Sequence, residues 1–228
     1  MTYRLISATP SPYARKVRIA LLEKAIPFEL ITEVPWDSTT QTPRHNPLEK
    51  LPVLLAARPD AAAADEAIFE SHHILAYLDL KHPSSPQLLP PDADARLLAQ
   101  RIEVVADGVC DACVLLFLER RRPEPSEPWV SRQTRKVEGG VAWLARLVEE
   151  RVRLAGDARP RDGFLVGGRF GLADVAVGCV CGYLDVRWAE LGWRGRWPAL
   201  ARWADWVGER ESFRATVPVA QRIGEPVV

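Results

Sequence analysis

A proline-dense stretch divides this 228-residue sequence into two parts with different patterns. Residues 82–91 contain four prolines, and proline fits neither the interior of a helix nor a central strand. Before this stretch, apolar segments of strand length alternate with segments of helical spacing. After it, every clear pattern is helical. We therefore predict an α/β domain over residues 1–82 and an all-helical domain over residues 91–228.

The first part has the order βαβ followed by ββα. A helical pattern between two strand patterns predicts a parallel βαβ unit. Two short strands with a brief connection predict an antiparallel pair. The predicted elements are strands at residues 3–7, 28–32, 53–55 and 67–69, helices from Pro12 to Lys24 and from Ser71 onward, and a loop from Arg58 to Glu66.

Ser11 lies where the first strand gives way to a helix that begins with Pro12. Serine caps helices well, and proline suits the first helical position. The free N–H groups and the positive end of the helix dipole also favour an anion there, and a hydroxyl can donate a hydrogen bond to it. Two roles are therefore open for Ser11: a cap only, or a group that stabilises an anion such as a thiolate.

Pro52 stands at the entrance to the third strand, directly after Leu51. Two conformations are compatible with this position: a trans proline at a strand edge, and a cis proline. The cis form would turn the N–H and C=O of Leu51 outward, where they can pair with an extended, peptide-like ligand. The sequence leaves both conformations open.

Glu70 and Ser71 come just before the last helix of the first part, and Ser71 is the predicted N-cap. A helix start can hold a carboxylate, while the Glu70 side chain can hold an ammonium group. Such a pair matches the α-amino acid end of a ligand. The alternative is a surface helix with an ordinary cap.

The second part contains four clear helical patterns. In the third of them, Gly171 precedes a helix in which Asp174 can accept a hydrogen bond from the Gly171 N–H. This helix is apolar on nearly all sides, which predicts the core of the helical domain. The four patterns run from Asp92 to about Arg120, from Val130 to Val152, from Gly171 to about Val186, and from Pro198 onward.

Composition narrows the range of functions. Lys+Arg and Asp+Glu are equal at 30 each, which argues against a nucleic-acid-binding protein. No apolar run is long enough to span a membrane, and the start shows no signal-peptide pattern, so we expect a cytoplasmic protein without a membrane partner. The four cysteines at 110, 113, 179 and 181 allow a zinc site in principle. Their apolar helical surroundings favour small buried side chains and no metal.

The order of these parts resembles the glutathione S-transferase superfamily over essentially the whole chain, and within it a group of bacterial glutathione S-transferase-like proteins. Four stretches carry the resemblance: residues 11–18, 46–48, 106–112 and 177–185. The resemblance implies a thioredoxin-like N-terminal domain, an all-α C-terminal domain and a homodimer. It also implies glutathione as co-substrate and a small hydrophobic electrophile as its reaction partner.

The resemblance further implies roles for individual residues. Ser11 matches the thiol-activating position, which is a serine in some classes and a cysteine in others. Leu51, before a cis-proline at Pro52, matches the residue whose backbone pairs with the cysteine of glutathione. Glu70 and Ser71 match the pair that binds the γ-glutamyl end. The remaining matches are Lys50, for the glycyl carboxylate, and Tyr13, Asp107, Cys110 and Asp111, for the second-substrate pocket.

Two residues depart from the family pattern. Glu49 stands where a small residue, often glycine, is usual, and its charge can repel the glycyl carboxylate. Gly171 replaces the usual serine or threonine cap, which costs only a few tenths of a kcal/mol.

The expected function is an enzyme that activates the glutathione thiolate for attack on an electrophilic carbon. Serine at position 11 argues against a mixed-disulfide mechanism, because a hydroxyl cannot exchange with a disulfide. Two alternatives stay open. One is a non-catalytic binding or scaffold protein of the same fold, and the other is an enzyme that reduces or dehalogenates its substrate.

Overall fold

The computed structural model describes residues 2–58, 64–155 and 163–224. The chain forms two compact units. The first unit comprises the residues up to Gln87 and the C-terminal segment that begins at Pro218, and the second runs from Leu88 to Val217. The centre of the predicted loop from Arg58 to Glu66 lies outside the described residues.

The first unit contains a four-stranded sheet in the order β2-β1-β3-β4. β1 pairs with β2 in parallel and with β3 antiparallel, and β3 pairs with β4 antiparallel. This βαβ-ββα arrangement confirms the predicted fold class. The elements are β1 (Tyr3–Ser7), α1 (Pro12–Glu23), β2 (Phe28–Thr32), β3 (Val53–Ala56), β4 (Glu66–Phe69) and α2 (Ser71–Lys81), with a 3-10 turn at Thr42–Arg44.

The two central strands of this sheet form its apolar core, because strands flank them on both sides. β3 has strands on both sides, and all four of its residues are buried. Ile6 of β1 packs with Val53 and Leu55 in an apolar cluster that also contacts Leu51 and Phe69. This cluster supports the end of the sheet at which the predicted glutathione-binding residues lie.

A buried ion pair attaches the start of the proline-dense stretch to the first unit. The Lys24 side chain is fully buried and its ammonium lies 2.5 Å from the Asp79 carboxylate. It also donates to the Ser85 hydroxyl at 3.2 Å and to the Pro86 carbonyl at 2.8 Å. The unit therefore continues a few residues past the predicted boundary at His82.

The second unit is helical, as predicted. α3 packs against both α4 and α5, and Asp92 caps α3 by accepting from the Ala95 N–H at 2.9 Å. The helices are α3 (Ala93–Glu119), α4 (Glu127–Ala155), α5 (Leu172–Arg187), α6 (Trp193–Arg196), α7 (Pro198–Gly208) and α8 (Glu211–Arg214), with a 3-10 turn at Ala189–Leu191. Among the described residues, no helix combines the length and the apolar character that crossing a bilayer requires.

The start of α5 shows why a glycine stands at the cap position. As predicted, the Gly171 N–H donates to the Asp174 carboxylate, at 3.0 Å, and the other carboxylate oxygen accepts from the Leu165 N–H at 2.9 Å. A side chain on Gly171 would place its Cβ 2.7 Å from the Leu88 carbonyl oxygen. The departure from serine or threonine therefore follows from a close backbone approach that only glycine permits.

The described C-terminal segment differs from the prediction, which extended the helical domain to residue 228. It belongs to the first unit because hydrogen bonds attach it there along its length. Thr9 donates to the Val219 carbonyl at 2.8 Å, and Gln221 donates to the Glu33 carbonyl at 3.3 Å. The Gly224 N–H reaches the Asp37 carboxylate at 3.1 Å.

Candidate functional site

The sheet register brings three predicted segments to one end of the first unit. Ile6 of β1 pairs with Val53 of β3, and Val53 pairs with Phe69 of β4. The chain leaves β1 at this end toward Ser11, enters β3 here from Leu51, and leaves β4 here into Glu70. Ser11, Leu51 and Glu70 are the residues predicted to bind the thiol, the cysteinyl backbone and the γ-glutamyl end of glutathione. Each of them therefore lies close in sequence to one of these neighbouring strand ends.

Ser11 is the N-cap of α1. Its Oγ accepts a hydrogen bond from the Ala14 N–H at 3.2 Å, and within the described ranges its hydroxyl hydrogen has no acceptor, so it is available for donation. The first turn of α1 contains no acidic residue, so no side-chain carboxylate of that turn offsets the positive end of the helix dipole. The two roles that the sequence left open are compatible, since one oxygen can accept and donate at once.

The Leu51–Pro52 peptide bond is cis, as the resemblance implies. Within the described part of the chain, neither the N–H nor the C=O of Leu51 has a hydrogen-bond partner. Both groups are therefore available to a ligand.

Asn46 holds the turn that leads to Leu51. Its buried side chain donates to the Lys50 carbonyl at 2.8 Å and accepts from the Leu48 N–H at 2.9 Å. The sequence indicated this asparagine only as part of a family stretch and did not assign it a role. Asparagine directly before proline is a turn-forming pair, and Asn46-Pro47 is the sequence signal that could have identified it.

Glu49 adopts a left-handed backbone conformation with φ of 55°. Residues other than glycine pay roughly 1–2 kcal/mol for this conformation. The preference for glycine at this position in the resembling family therefore has a backbone reason in addition to the charge argument. Lys50, the next residue, is exposed.

Glu70, and not Ser71, is the N-cap of α2, so the predicted cap was wrong. The Glu70 carboxylate accepts from the His72 and His73 N–H groups, both at 3.2 Å, and Ser71 is the first helical residue. The longer side chain of Glu70 reaches over the helix start because its backbone has φ of 72° and ψ of 123°. A positive φ in a non-glycine residue is strained, and such strain is often found at functional sites.

The residues predicted for the second-substrate pocket lie in both units. Tyr13 is half-buried in α1 of the first unit. Asp107, Cys110 and Asp111 lie within one turn of α3 in the second unit, where Asp107 is half-buried, Cys110 is buried and Asp111 is exposed. Their helical spacing places these three on one side of α3. Their shared role stays a prediction.

All four cysteines are buried. Burial raises the pKa of Cys113 to about 12, so this thiol is neutral near pH 7. In the described ranges, no group of three or more His, Cys, Asp or Glu side chains has the arrangement of a metal site. Their burial agrees with the prediction of small buried side chains.

Comparison with known proteins gives consistent results. Two family models match the chain: "Glutathione S-transferase, N-terminal domain" over residues 10–81 and "Glutathione S-transferase, C-terminal domain" over residues 127–205. An uncharacterized GST-like protein of Escherichia coli (strain K12), YibF, is 32% identical and covers 94% of this chain and 98% of its own length.

Two similar solved structures contain ligands. A glutathione S-transferase from Methylobacterium radiotolerans, in complex with glutathione sulfonate, is 57% identical, covers 100% of both chains and has a TM-score of 0.88. A glutathione S-transferase from Methylobacillus flagellatus with bound glutathione is 37% identical, covers 95% of this chain and 100% of its own, and has a TM-score of 0.83. The chain described here belongs to the glutathione S-transferase family.

Proposed function

We propose that this protein is a glutathione transferase in which the Ser11 hydroxyl stabilises the glutathione thiolate for attack on a small electrophile. The observation that carries the proposal is the state of Ser11, whose oxygen caps α1 while its hydrogen stays available. The glutathione and glutathione sulfonate bound to the two similar proteins support the choice of ligand. The protein acts as a homodimer in this proposal, as the family resemblance implies.

The thiolate must be present at neutral pH for the reaction to proceed. A free thiol has a pKa of about 8.5, so only a few per cent is ionised near pH 7. Lowering that pKa by about 2 units requires roughly 2.7 kcal/mol of preferential stabilisation of the anion. A hydroxyl hydrogen bond to an anion and the start of α1 are together of this size. The thiolate then displaces a leaving group from the electrophilic carbon, or adds to it.

The other proposed contacts to glutathione involve residues at the same end of the sheet. The N–H and C=O of Leu51 pair with the cysteinyl residue of glutathione. The γ-glutamyl carboxylate binds the Ser71 hydroxyl and the N–H groups at the start of α2, while Glu70 pairs with the ammonium group. Lys50 binds the glycyl carboxylate.

The test compares Ser11→Ala with Ser11→Thr. The threonine variant keeps a hydroxyl that can cap and donate, while alanine loses both functions. We expect Ser11→Ala to lower the rate of conjugation with 1-chloro-2,4-dinitrobenzene at least about tenfold and to raise the pKa of bound glutathione, measured from thiolate absorbance. Ser11→Thr should retain most of both. An unchanged rate and thiol pKa in Ser11→Ala, with glutathione still bound, would remove Ser11 from the mechanism.

A non-catalytic binding protein is the second candidate. Glu49 favours it, because its carboxylate lies beside Lys50 and can oppose the glycyl carboxylate of glutathione. Calorimetry of glutathione binding, combined with measurements of turnover and of the thiol pKa, separates the two candidates. Absence of glutathione binding, or binding without turnover of any electrophile, supports the non-catalytic protein, and binding with a lowered thiol pKa supports the enzyme.

A further inference from the structure

Aromatic and basic side chains surround the last turns of α3 in the second unit. The guanidinium carbon of Arg187, at the end of α5, lies 4.3 Å from the centre of the Phe117 ring. Arg121 lies 3.7 Å from the centre of the same ring. The Arg120 guanidinium lies 4.3 Å from the centre of the Trp188 ring. We call these five residues the Arg187 cluster.

Two hydrogen-bond donors of the Arg187 cluster are buried without an acceptor. They are the Nε–H of Arg187 and the Nε1–H of Trp188, and neither has a partner among the residues that the structure describes. Trp188 is only 5% exposed. A buried donor without a partner costs roughly 1–3 kcal/mol. The two donors therefore point to an acceptor that these parts of the chain do not supply.

No charge in the cluster neutralises Arg187. Within the described ranges, no carboxylate lies at ion-pair distance from its guanidinium, and the nearby Glu190 is paired with Arg120 at 2.7 Å. The Tyr183 hydroxyl is hydrogen-bonded to Arg187, but burial raises the pKa of this phenol, which stays neutral. The Cys113 thiol, which also neighbours Tyr183, is neutral for the same reason.

We propose that the Arg187 cluster forms a binding site for a small organic carboxylate. The two oxygens of a carboxylate can accept from the guanidinium and the indole N–H, and its charge compensates that of Arg187. The rings of Phe117, Tyr183 and Trp188 provide aromatic contacts for a flat apolar body. Arg187 as a whole is half-buried, so part of its side chain lies at the surface, where a ligand can approach.

The position of the site connects it to the second substrate. Cys110 lies near Tyr183, and the family resemblance assigns Cys110 to the second-substrate pocket. The carboxylate then belongs to the electrophile, which makes the substrate class an electrophile with an acidic group. This assignment rests on the proposed function, whereas binding of a carboxylate does not.

The first experiment measures benzoate binding by the full chain without glutathione. The indole N–H resonance of Trp188, assigned with Trp188→Phe, should shift during a benzoate titration. Benzamide has the same shape without the charge, and we expect it to bind at least about tenfold more weakly. Arg187→Met should weaken benzoate binding about tenfold and leave benzamide unchanged. A Trp188 resonance that benzoate does not shift, equal affinity for the two probes, or unchanged benzoate affinity in Arg187→Met would each overturn the site.

A second variant guards against misfolding. Arg187→Lys keeps the charge but lacks the Nε donor, so a folded protein with intermediate benzoate affinity supports the site. If this variant unfolds at the temperature of the unmodified protein and binds benzoate as tightly as the unmodified protein, the Nε–H of Arg187 does not donate to the carboxylate and the proposed contact is wrong.

A pair of electrophiles tests the assignment to the second substrate. In Arg187→Met, conjugation of 4-chloro-3,5-dinitrobenzoate should fall about tenfold more than conjugation of its methyl ester. Equal loss for both electrophiles would overturn the assignment. Benzoate binding without conjugation of either electrophile would leave the carboxylate site intact and contradict the proposed transferase activity.

Discussion

The Glu70 carboxylate accepts a hydrogen bond from the Ser71 hydroxyl, at 3.3 Å, while it caps the N–H groups of the same helix start. Glu70, which is proposed to hold the ammonium group of glutathione, thus occupies the N–H groups that are proposed to bind the γ-glutamyl carboxylate. In this proposal, glutathione binding requires the Glu70 carboxylate to release these N–H groups, and the γ-glutamyl carboxylate then takes its place. The exchange keeps the start of α2 satisfied in both states.

Glu70→Gln should separate the two roles of Glu70. The amide oxygen can still cap α2, so we expect a loss of less than about 0.5 kcal/mol in the free energy of unfolding. Glutathione affinity should fall about tenfold, because the ammonium group loses its charged partner. Glu70→Ala should lose both, with about 1 kcal/mol of stability. Urea unfolding and calorimetry measure the two effects.

A ligand control makes the Glu70 prediction specific. Glutathione that lacks only its α-amino group should bind the unmodified protein and Glu70→Gln equally well. If natural glutathione also binds both proteins equally, Glu70 does not hold the ammonium group.

Glu49 combines an unfavourable backbone conformation with an unfavourable charge, and two substitutions distinguish them. Glu49→Gln removes only the charge and should tighten glutathione binding, most clearly at low salt. Glu49→Gly should tighten it equally and also relieve the left-handed backbone, which raises the free energy of unfolding by up to about 1 kcal/mol. Calorimetry at two salt concentrations is the measurement. Unchanged affinity in both variants would place Glu49 away from the glycyl carboxylate.

The order of strands and helices and the Asp174 hydrogen bond were predicted correctly, because they follow from apolar periodicity and from local residue order. The cap of α2 was not, because it depends on how far a side chain reaches. The order of strands and helices follows from apolar spacing, and Asp174 reaches Gly171 as the pattern indicated. The cap of α2 was assigned to Ser71 because serine is the common capping residue. The longer Glu70 takes that role because its positive φ turns the side chain over the helix start.

Burial of single polar residues was also beyond the sequence. Gln133 looks like an ordinary surface residue of a long helix, yet it lies in the buried seam that continues through Val137 and Val141. Val152, which the pattern placed in that seam, is 44% exposed. Only the packing of α4 on its neighbours decides which residues of a long helix become buried.

Substitution by alanine should have opposite effects on protein stability at two adjacent glycines of α4. A Cβ at Gly139 meets no atom within 4 Å, whereas a Cβ at Gly140 would lie 2.3 Å from a methyl carbon of Val109. Gly139→Ala should stabilise the protein by about 0.5–1 kcal/mol, because alanine costs less entropy in a helix. Gly140→Ala should destabilise it by roughly 1–3 kcal/mol, since valine in a helix has little freedom to rotate away. Thermal unfolding of both variants measures the contrast.

A third variant tests the cause of that contrast. Val109→Ala combined with Gly140→Ala should recover most of the stability lost in Gly140→Ala, because the obstructing methyl groups are gone. Equal stabilities of Gly139→Ala and Gly140→Ala would mean that α3 and α4 are not in this close contact.

The buried carboxyl of Asp174 should make stability depend on pH. Burial raises its pKa to about 7, although the N–H groups of Leu165 and Gly171 oppose the rise. Between about pH 4, the ordinary aspartate value, and about 7 the folded protein therefore holds a proton that the unfolded chain has released. The free energy of unfolding should fall as pH rises through this window. Asp174→Asn cannot titrate, so the stability advantage of the unmodified protein over this variant, measured by urea unfolding, should shrink with increasing pH. An advantage that grows with pH would mean that the two N–H donors outweigh burial and keep the carboxylate ionised.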